Sequence, residues 1–374
     1  METNTNTKPK RITLNDNQKD KLRELGKILL QSVISILIAL VIGAIIILIL
    51  GENPLFAYGE LFKGAFNNSV TIANTFSKAV PLIFTGLAVA ISLKAGMLNI
   101  GAEGQLYLGA MASAICALYV GNLSPVIAIP LCILAGFIGG ALGGLLAGFL
   151  RSKFMISEVI AAIMLNYIFK LLTSYLAAGP FSSGESVVQT PKIGEGAWLT
   201  TLVPGSKLTT AILLAVVAAI IIHYFLTKTS PGFKLRAVGD NRTAAASGGI
   251  KVKWYMLLAM GLSGGLAGLA GTTEVLGTYH RFIEGFSPSF GFTGIAVAIL
   301  ARNNPFAVIL SALLFAILDT GSLRMARTTN ISSNVVVVIQ SLIIIAVSAP
   351  EMIKFVKKRK KVAKEEKEVI ENDK

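Results

Sequence analysis

The sequence predicts an all-α, polytopic transmembrane bundle of about 10 spans, with broken or re-entrant helices and a short helix in one polar interior loop. Three observations predict it. Hydrophobic residues make up 53% of the chain, charged residues 14%, and the mean hydropathy is +0.70. A soluble domain carries about 25% charge. The apolar residues fall in runs suited to a hydrocarbon core about 30 Å thick. Finally, the positive charge is gathered outside those runs, with seven basic residues between Lys8 and Lys27 and nine between Lys354 and Lys374. Lipid satisfies no backbone polar group, so runs of this kind must close their hydrogen bonds internally, as helices.

The net charge of +14 reads as topogenic, because basic flanks mark the cytoplasmic side of a span. Nucleic-acid binding is therefore not expected. The chain divides into a cytoplasmic arm at 1–27, a transmembrane domain at 28–350 and a charged cytoplasmic tail at 351–374. No small-residue cleavage site follows the first apolar run, so it is expected to stay as an uncleaved span.

The spans are expected at Ile28–Leu50, Val80–Leu93, Ala102–Tyr119, Val126–Leu150, Glu158–Ala178, Thr209–Leu226, Trp254–Leu276, Phe290–Leu300, Pro305–Gly321 and Val335–Ala349. Phe290–Leu300 is too short to cross alone and suggests a re-entrant or broken helix. With both termini cytoplasmic the number of crossings must be even. Ten crossings place the basic stretches Arg151–Ser157 and Lys228–Lys253 inside and the charge-balanced Gly179–Lys207 outside; eight also keep the parity. Gly136, Gly140, Gly144 and Gly148 recur on one helical face, as do the pairs Gly261–Gly265 and Gly264–Gly268. Small residues at this spacing let helix backbones approach closely in lipid.

Three places break the apolar pattern. Lys94–Gln105 sets Asn99, Glu103 and Gln105 among three glycines. It reads either as an interrupted helix lining a pathway or as a solvated turn. Gly277–Phe292 carries His280, Arg281 and Glu284, then Phe286, Phe290 and Phe292 around Pro288. Its aromatics suit either a flat solute or an interfacial belt. Asn166 with Lys170, and Asp319, are isolated polar residues in their spans. Asn99, Glu103, Gln105, Asn166, Phe286 and Phe290 are the candidates for a solute path.

No P-loop, HExxH or cysteine–histidine cluster occurs, and the only cysteines are Cys116 and Cys132. Catalytic residues, a metal and a bound cofactor are therefore not expected. The polar loop Lys228–Lys253 carries six basic residues and one acid, Asp240. Pro231–Gly232 suggests a turn, Asp240 or Asn241 a helix cap, and Gly248–Gly249 a stop. A loop serving only as a charge marker needs no caps. This one reads as a helix lying across the cytoplasmic mouth.

Three stretches resemble the membrane permeases of bacterial ABC importers for ribose-type sugars and nucleosides. They are MLNIGAEGQLYLGA at Met97–Ala110, GFKLRAVGDNRTAAASGGI at Gly232–Ile250 and GFSPSFGFTGIAVAILARNNP at Gly285–Pro305. The resemblance extends over roughly Ile28 to Pro350, and NIGAEGQ looks more like the nucleoside branch. It implies a non-enzymatic permease subunit in the bacterial plasma membrane, with ATP bound and hydrolysed on a separate subunit. It further implies a second permease half, an extracellular substrate-binding lipoprotein and a nucleoside substrate. By position, Gly239, Asp240, Asn241 and Arg242 would form the segment that couples to the ATPase. A permease for ribose or galactose is the alternative. An ion-coupled secondary transporter would instead use Glu103, Glu274 and Asp319, and a purely structural membrane subunit would carry no solute.

Overall fold

The computed structural model describes residues 37–345, apart from 39, 155, 333, 343 and 344. The terminal arm, the charged tail and the outer parts of the first and last predicted spans lie outside the described residues. The described residues form a helical bundle whose only β-pairings are isolated bridges, Gln189 with Ile283 and Thr201 with Thr209.

The first helix, α1 (Leu40–Ile49), meets α2 (Pro54–Phe66) at a bend of 118°. Sequence periodicity did not announce α2, because Glu60 and Lys63 interrupt its apolar face. Asn53 starts it, its side chain accepting from the Leu55 N–H at 2.9 Å. Glu60 pairs with Lys63 and with Arg324, both at 2.8 Å. The expected span at Val80–Leu93 is the second half of a longer helix, α3 (Ser69–Lys94), which an Asn68–Thr71 capping box starts well upstream. Then come α4 (Ala102–Val120), α5 (Pro125–Phe154) and α6 (Glu158–Ala178). Beyond the loop 179–210 lie α7 (Ala211–Lys228), α8 (Ser230–Asp240), α9 (Arg242–Ser247) and α10 (Val252–Glu274). A π turn at Val275–Tyr279 prolongs α10; α11 (Phe290–Leu300), α12 (Pro305–Thr328) and α13 (334–342) complete the chain.

Among the described residues, six helices are long and apolar enough to cross a membrane, or seven if the bent α1–α2 pair is one span. The described residues thus show fewer complete spans than the ten expected. The eleven residues of α11 rise only about 16 Å, and the first turn of α4 carries Glu103 and Gln105.

The bundle is organised around α3 and α10. Of their most apolar windows 78% is buried, against 28% for α5, which leaves most of its surface exposed at the rim of the bundle. Glycine sets the spacing where α4, α5 and α10 meet. A Cβ on Gly140 would lie 2.7 Å from Gly268 Cα, and one on Gly264 would lie 2.8 Å from Gly144 Cα. No real carbon pair sits so close, so only glycine permits this backbone contact. The two expected glycine faces are therefore the two sides of one interface.

Candidate functional site

The ends of the bundle differ. One carries the loop 179–210, and the other carries α8 and α9. The latter is built from the polar loop singled out in the sequence. Pro231 and Gly232 do not form a turn there. They are the first turn of α8, where proline's missing N–H is no loss, and the Thr229 hydroxyl accepts from the Gly232 N–H at 3.1 Å. The cap of the second helix is Asn241 rather than Asp240. Its extended backbone separates α8 from α9, and its side chain accepts from the Ala244 N–H at 3.0 Å. Gly248 and Gly249 end α9, and Gly249 adopts φ +78. Two helices therefore stand where one was expected.

These helices dock on the end of α3. Leu235 and Val238 are fully buried. Gly239 lies against Lys94 and Gly96, so that a Cβ on Gly239 would come within 2.9 Å of Gly96 N. Gly96, at φ +68, returns the contact. The Arg242 guanidinium donates to the Gly96 carbonyl at 2.6 Å. Of the four expected coupling residues, Gly239 and Arg242 make this joint, Asn241 shapes it and Asp240 ends α8.

Beyond Gly96 the chain runs without helix to Gly101 and turns back into the bundle. Asn99 donates to Gln105 at 2.6 Å and to the Ser263 hydroxyl at 2.8 Å. Ser263 in turn donates to the Ala88 carbonyl at 2.5 Å, about 9 Å inside the end of α3. The segment is thus an interrupted helical entry, not a solvated turn. Non-helical backbone survives at that depth because protein surrounds it. Asn166 accepts from the Gly104 N–H at 2.7 Å and donates to the Ile100 carbonyl at 3.0 Å. Glu103, only 1% exposed, accepts from the Gly291 N–H at 2.7 Å.

Four of the six path candidates therefore meet around residues 99–105, spent on one another and on backbone. Phe286 is packed 4.9 Å from the Tyr107 ring, in a cluster with Phe282 and Tyr279. Phe290 does reach open space. With Phe292 it lines a cleft of about 410 Å³ bounded by Leu82 of α3, Phe315 and Asp319 of α12, and Val337, Gln340 and Ser341 of α13. Ser289 and Thr293 add hydroxyls. Asp319 pairs with Lys78 of α3 at 2.8 Å and remains half-exposed. Gln340 and Ser341 escaped the sequence reading. Their only signal was a pair of polar residues in the last apolar run.

At the loop end, His280 stacks on Trp198, with centroids 4.1 Å apart and planes inclined by 20°, and Lys192 Nζ lies 4.5 Å from the centre of the Trp198 ring. Burial, and then Lys192, hold the His280 imidazole below the usual histidine range. Among the described residues no group of three or more metal-ligating side chains converges.

Residues 71–348 match the family described as the branched-chain amino acid transport system / permease component. The chain belongs to this permease family. Its relatives include a glucose ABC transporter permease of Haloferax volcanii, 35% identical over 81% of this chain and 82% of that protein. A guanosine ABC transporter permease of Bacillus subtilis is 35% identical, over 80% and 87% respectively. A nucleoside ABC transporter permease of Lactococcus lactis is 34% identical, over 72% and 77%. The permease is a multi-pass membrane subunit of an ABC importer, a transport component that works with ATPase and substrate-binding partners.

Proposed function

We propose that this permease carries nucleosides across the bacterial plasma membrane by way of the cleft beside α11. The observation that carries the reading is the chemistry of the cleft wall. Phe290 and Phe292 offer aromatic faces for a flat base, while Asp319, Gln340, Ser341, Ser289 and Thr293 offer hydrogen bonds for a ribose. A volume of about 410 Å³ falls in the range of small-molecule sites, roughly 300–1,000 Å³. Two relatives named for guanosine or nucleoside transport support the same substrate class.

In this reading the extracellular lipoprotein delivers the nucleoside to the cleft, which a second permease half closes. Both termini and α8–α9 are cytoplasmic, by the placement of basic charge. ATP-driven closure of the ATPase subunits pushes on Gly239–Arg242, and the bundle rocks from outward to inward access. Asn99, Gln105, Asn166, Glu103 and Phe286 hold the frame of the path, and Phe290 touches the solute.

A sugar permease is the second reading. The glucose permease relative, as similar as the guanosine one, favours it. Uptake of labelled guanosine by cells expressing the complete transporter, competed with unlabelled nucleosides and with hexoses, separates the two. Nucleosides are expected to compete and hexoses not. Competition by glucose with none by nucleosides overturns the proposal.

A further inference from the structure

We infer that Glu103 is the joint between the two interrupted helices, a positioning residue that holds α11 against the cleft. The inference goes beyond the substrate reading, since it applies to whichever solute the cleft takes. Glu103 is the second residue of α4, and Gly291 is the second residue of α11. Each helix starts inside the bundle, and their first turns meet. Ser289, which precedes α11, supplies no side-chain cap. The Phe290 N–H is taken by the Ser287 hydroxyl at 3.1 Å, and the Gly291 N–H by Glu103 Oε2 at 2.7 Å. A carboxylate there also opposes the positive end of the helix dipole.

The fit is too close to be a passing contact. A Cβ on Gly291 would lie 2.5 Å from Glu103 Cα and 2.8 Å from its Cβ. Glycine at 291 thus lets α11 seat directly on α4. The carboxylate is held unevenly. Oε1 makes no hydrogen bond, and its counter-charge is Lys170 of α6 at 3.8 Å. Lys170 is 42% exposed on its side chain and also sits 5.0 Å over the Tyr107 ring. A buried charge needs both a partner and hydrogen bonds. Here Oε2 is fixed to α11, the Ser287 hydroxyl also interacts with the carboxylate, and Oε1 faces Lys170 across a gap. The joint therefore ties α4 firmly to the start of α11 and loosely to Lys170 of α6. Phe290 and Phe292 flank Gly291 in sequence, so any movement of the joint moves both cleft rings.

The test reads the position of α11 without reference to a solute. Phe292→Cys is introduced with Cys116→Ser and Cys132→Ser in the complete transporter, and its labelling by a membrane-impermeant maleimide is timed in membranes. Glu103→Ala, which leaves Gly291 unbonded, is expected to change the labelling rate at least about tenfold. Glu103→Gln retains an acceptor for Gly291 and is expected to stay within about twofold of the parent. Lys170→Met strands the carboxylate and is expected to change the rate, and Glu103→Gln in the same chain is expected to restore it. Equal rates for Glu103→Ala and the parent overturn the inference. So does a Glu103→Gln rate matching that of Glu103→Ala. If Glu103→Ala does not reach the membrane, the Lys170→Met pair decides. Restoration by Glu103→Gln supports the joint, and its absence, or a Lys170→Met rate equal to the parent's, overturns it.

Discussion

Gly239→Ala offers the sharpest test of the docking joint between α8 and α3. The added methyl would lie 2.9 Å from Gly96 N and from Lys94 C, and nearer still to the Lys94 carbonyl oxygen. All three are backbone atoms, so no rotamer change relieves the clash. Carbon needs about 3.5 Å from such neighbours, so α8 must withdraw from α3 by about 1 Å. Overpacking of this kind costs about 1–3 kcal/mol. Withdrawal also stretches the Arg242–Gly96 hydrogen bond, now 2.6 Å. A penalty of about 2 kcal/mol lowers the docked fraction by up to about 30-fold. The glycine-packed centre of the bundle lies elsewhere, so thermal unfolding in detergent should hardly change.

The assay has two readouts: co-purification of the ATPase subunit with the permease, and ATP-driven uptake. Both are expected to fall at least about tenfold. Gly59→Ala is the control, because a Cβ there meets nothing within 4 Å, and alanine favours a helix. Wild-type uptake and co-purification by Gly239→Ala would refute the argument that this contact transmits force.

Three further outcomes are expected. Gly268→Ala places a methyl 3.0 Å from Gly140 Cα, with the Gly136 carbonyl oxygen nearer; a cost of about 2 kcal/mol should lower the detergent melting temperature by several degrees, and an unchanged value would remove Gly268 from the close-packed interface. Phe292→Ala removes a half-exposed cleft ring and should raise the half-saturation concentration for nucleoside uptake by about tenfold without changing expression, whereas an unaltered value would place the solute elsewhere. His280 is held neutral by burial and by Lys192, so the stability it contributes is complete above the unfolded value of about 6.5 and is lost as pH falls from there through the lowered folded value. Between pH 7.5 and 5.5 the parent should therefore lose more melting temperature than His280→Asn, which tolerates the φ of +53 at this position; equal losses would mean His280 does not titrate in this way.

What the sequence revealed follows from what hydropathy can express. Glu158–Ala178 and Phe290–Leu300 match α6 and α11, because each is bounded by polar or helix-breaking residues. The glycine faces were legible because close approach demands glycine at a fixed spacing. Other features depended on tertiary partners. The polar face of α2 gains meaning only from Arg324 in α12. The first half of α3 carries Asn74 and Lys78, which look like loop residues until Lys207 and Asp319 meet them. In the site, Asn99 and Gln105 stand out in the sequence as polar residues in an apolar setting, and the structure buries both. Their partners, Ser263 and each other, could not be read from spacing. Gln340 and Ser341 join the cleft through α13 alone, a helix that no local motif connects with Phe290.

The same geometry bears on where such a bundle can move. Backbone-to-backbone glycine contacts bind α4, α5 and α10 into a block that has no slack to slide. The elements to which we assign coupling and solute contact are attached to that block differently. The α8–α9 pair rests on Gly96 through Gly239 and Arg242. The first turn of α11 rests on Glu103 through Gly291. Gly96 and Glu103 are the two ends of one short segment, whose middle is pinned by Asn99 to α10. A displacement of α8 therefore reaches that segment first, and the segment already touches α11. Stiff packing would carry the push, while the polar contacts at Glu103 are where it can yield. The proposed path from the ATPase to the solute needs only these two joints and the few residues between them. That economy is a physical reason for glycine, asparagine and glutamate to sit together where an ordinary span would carry leucine.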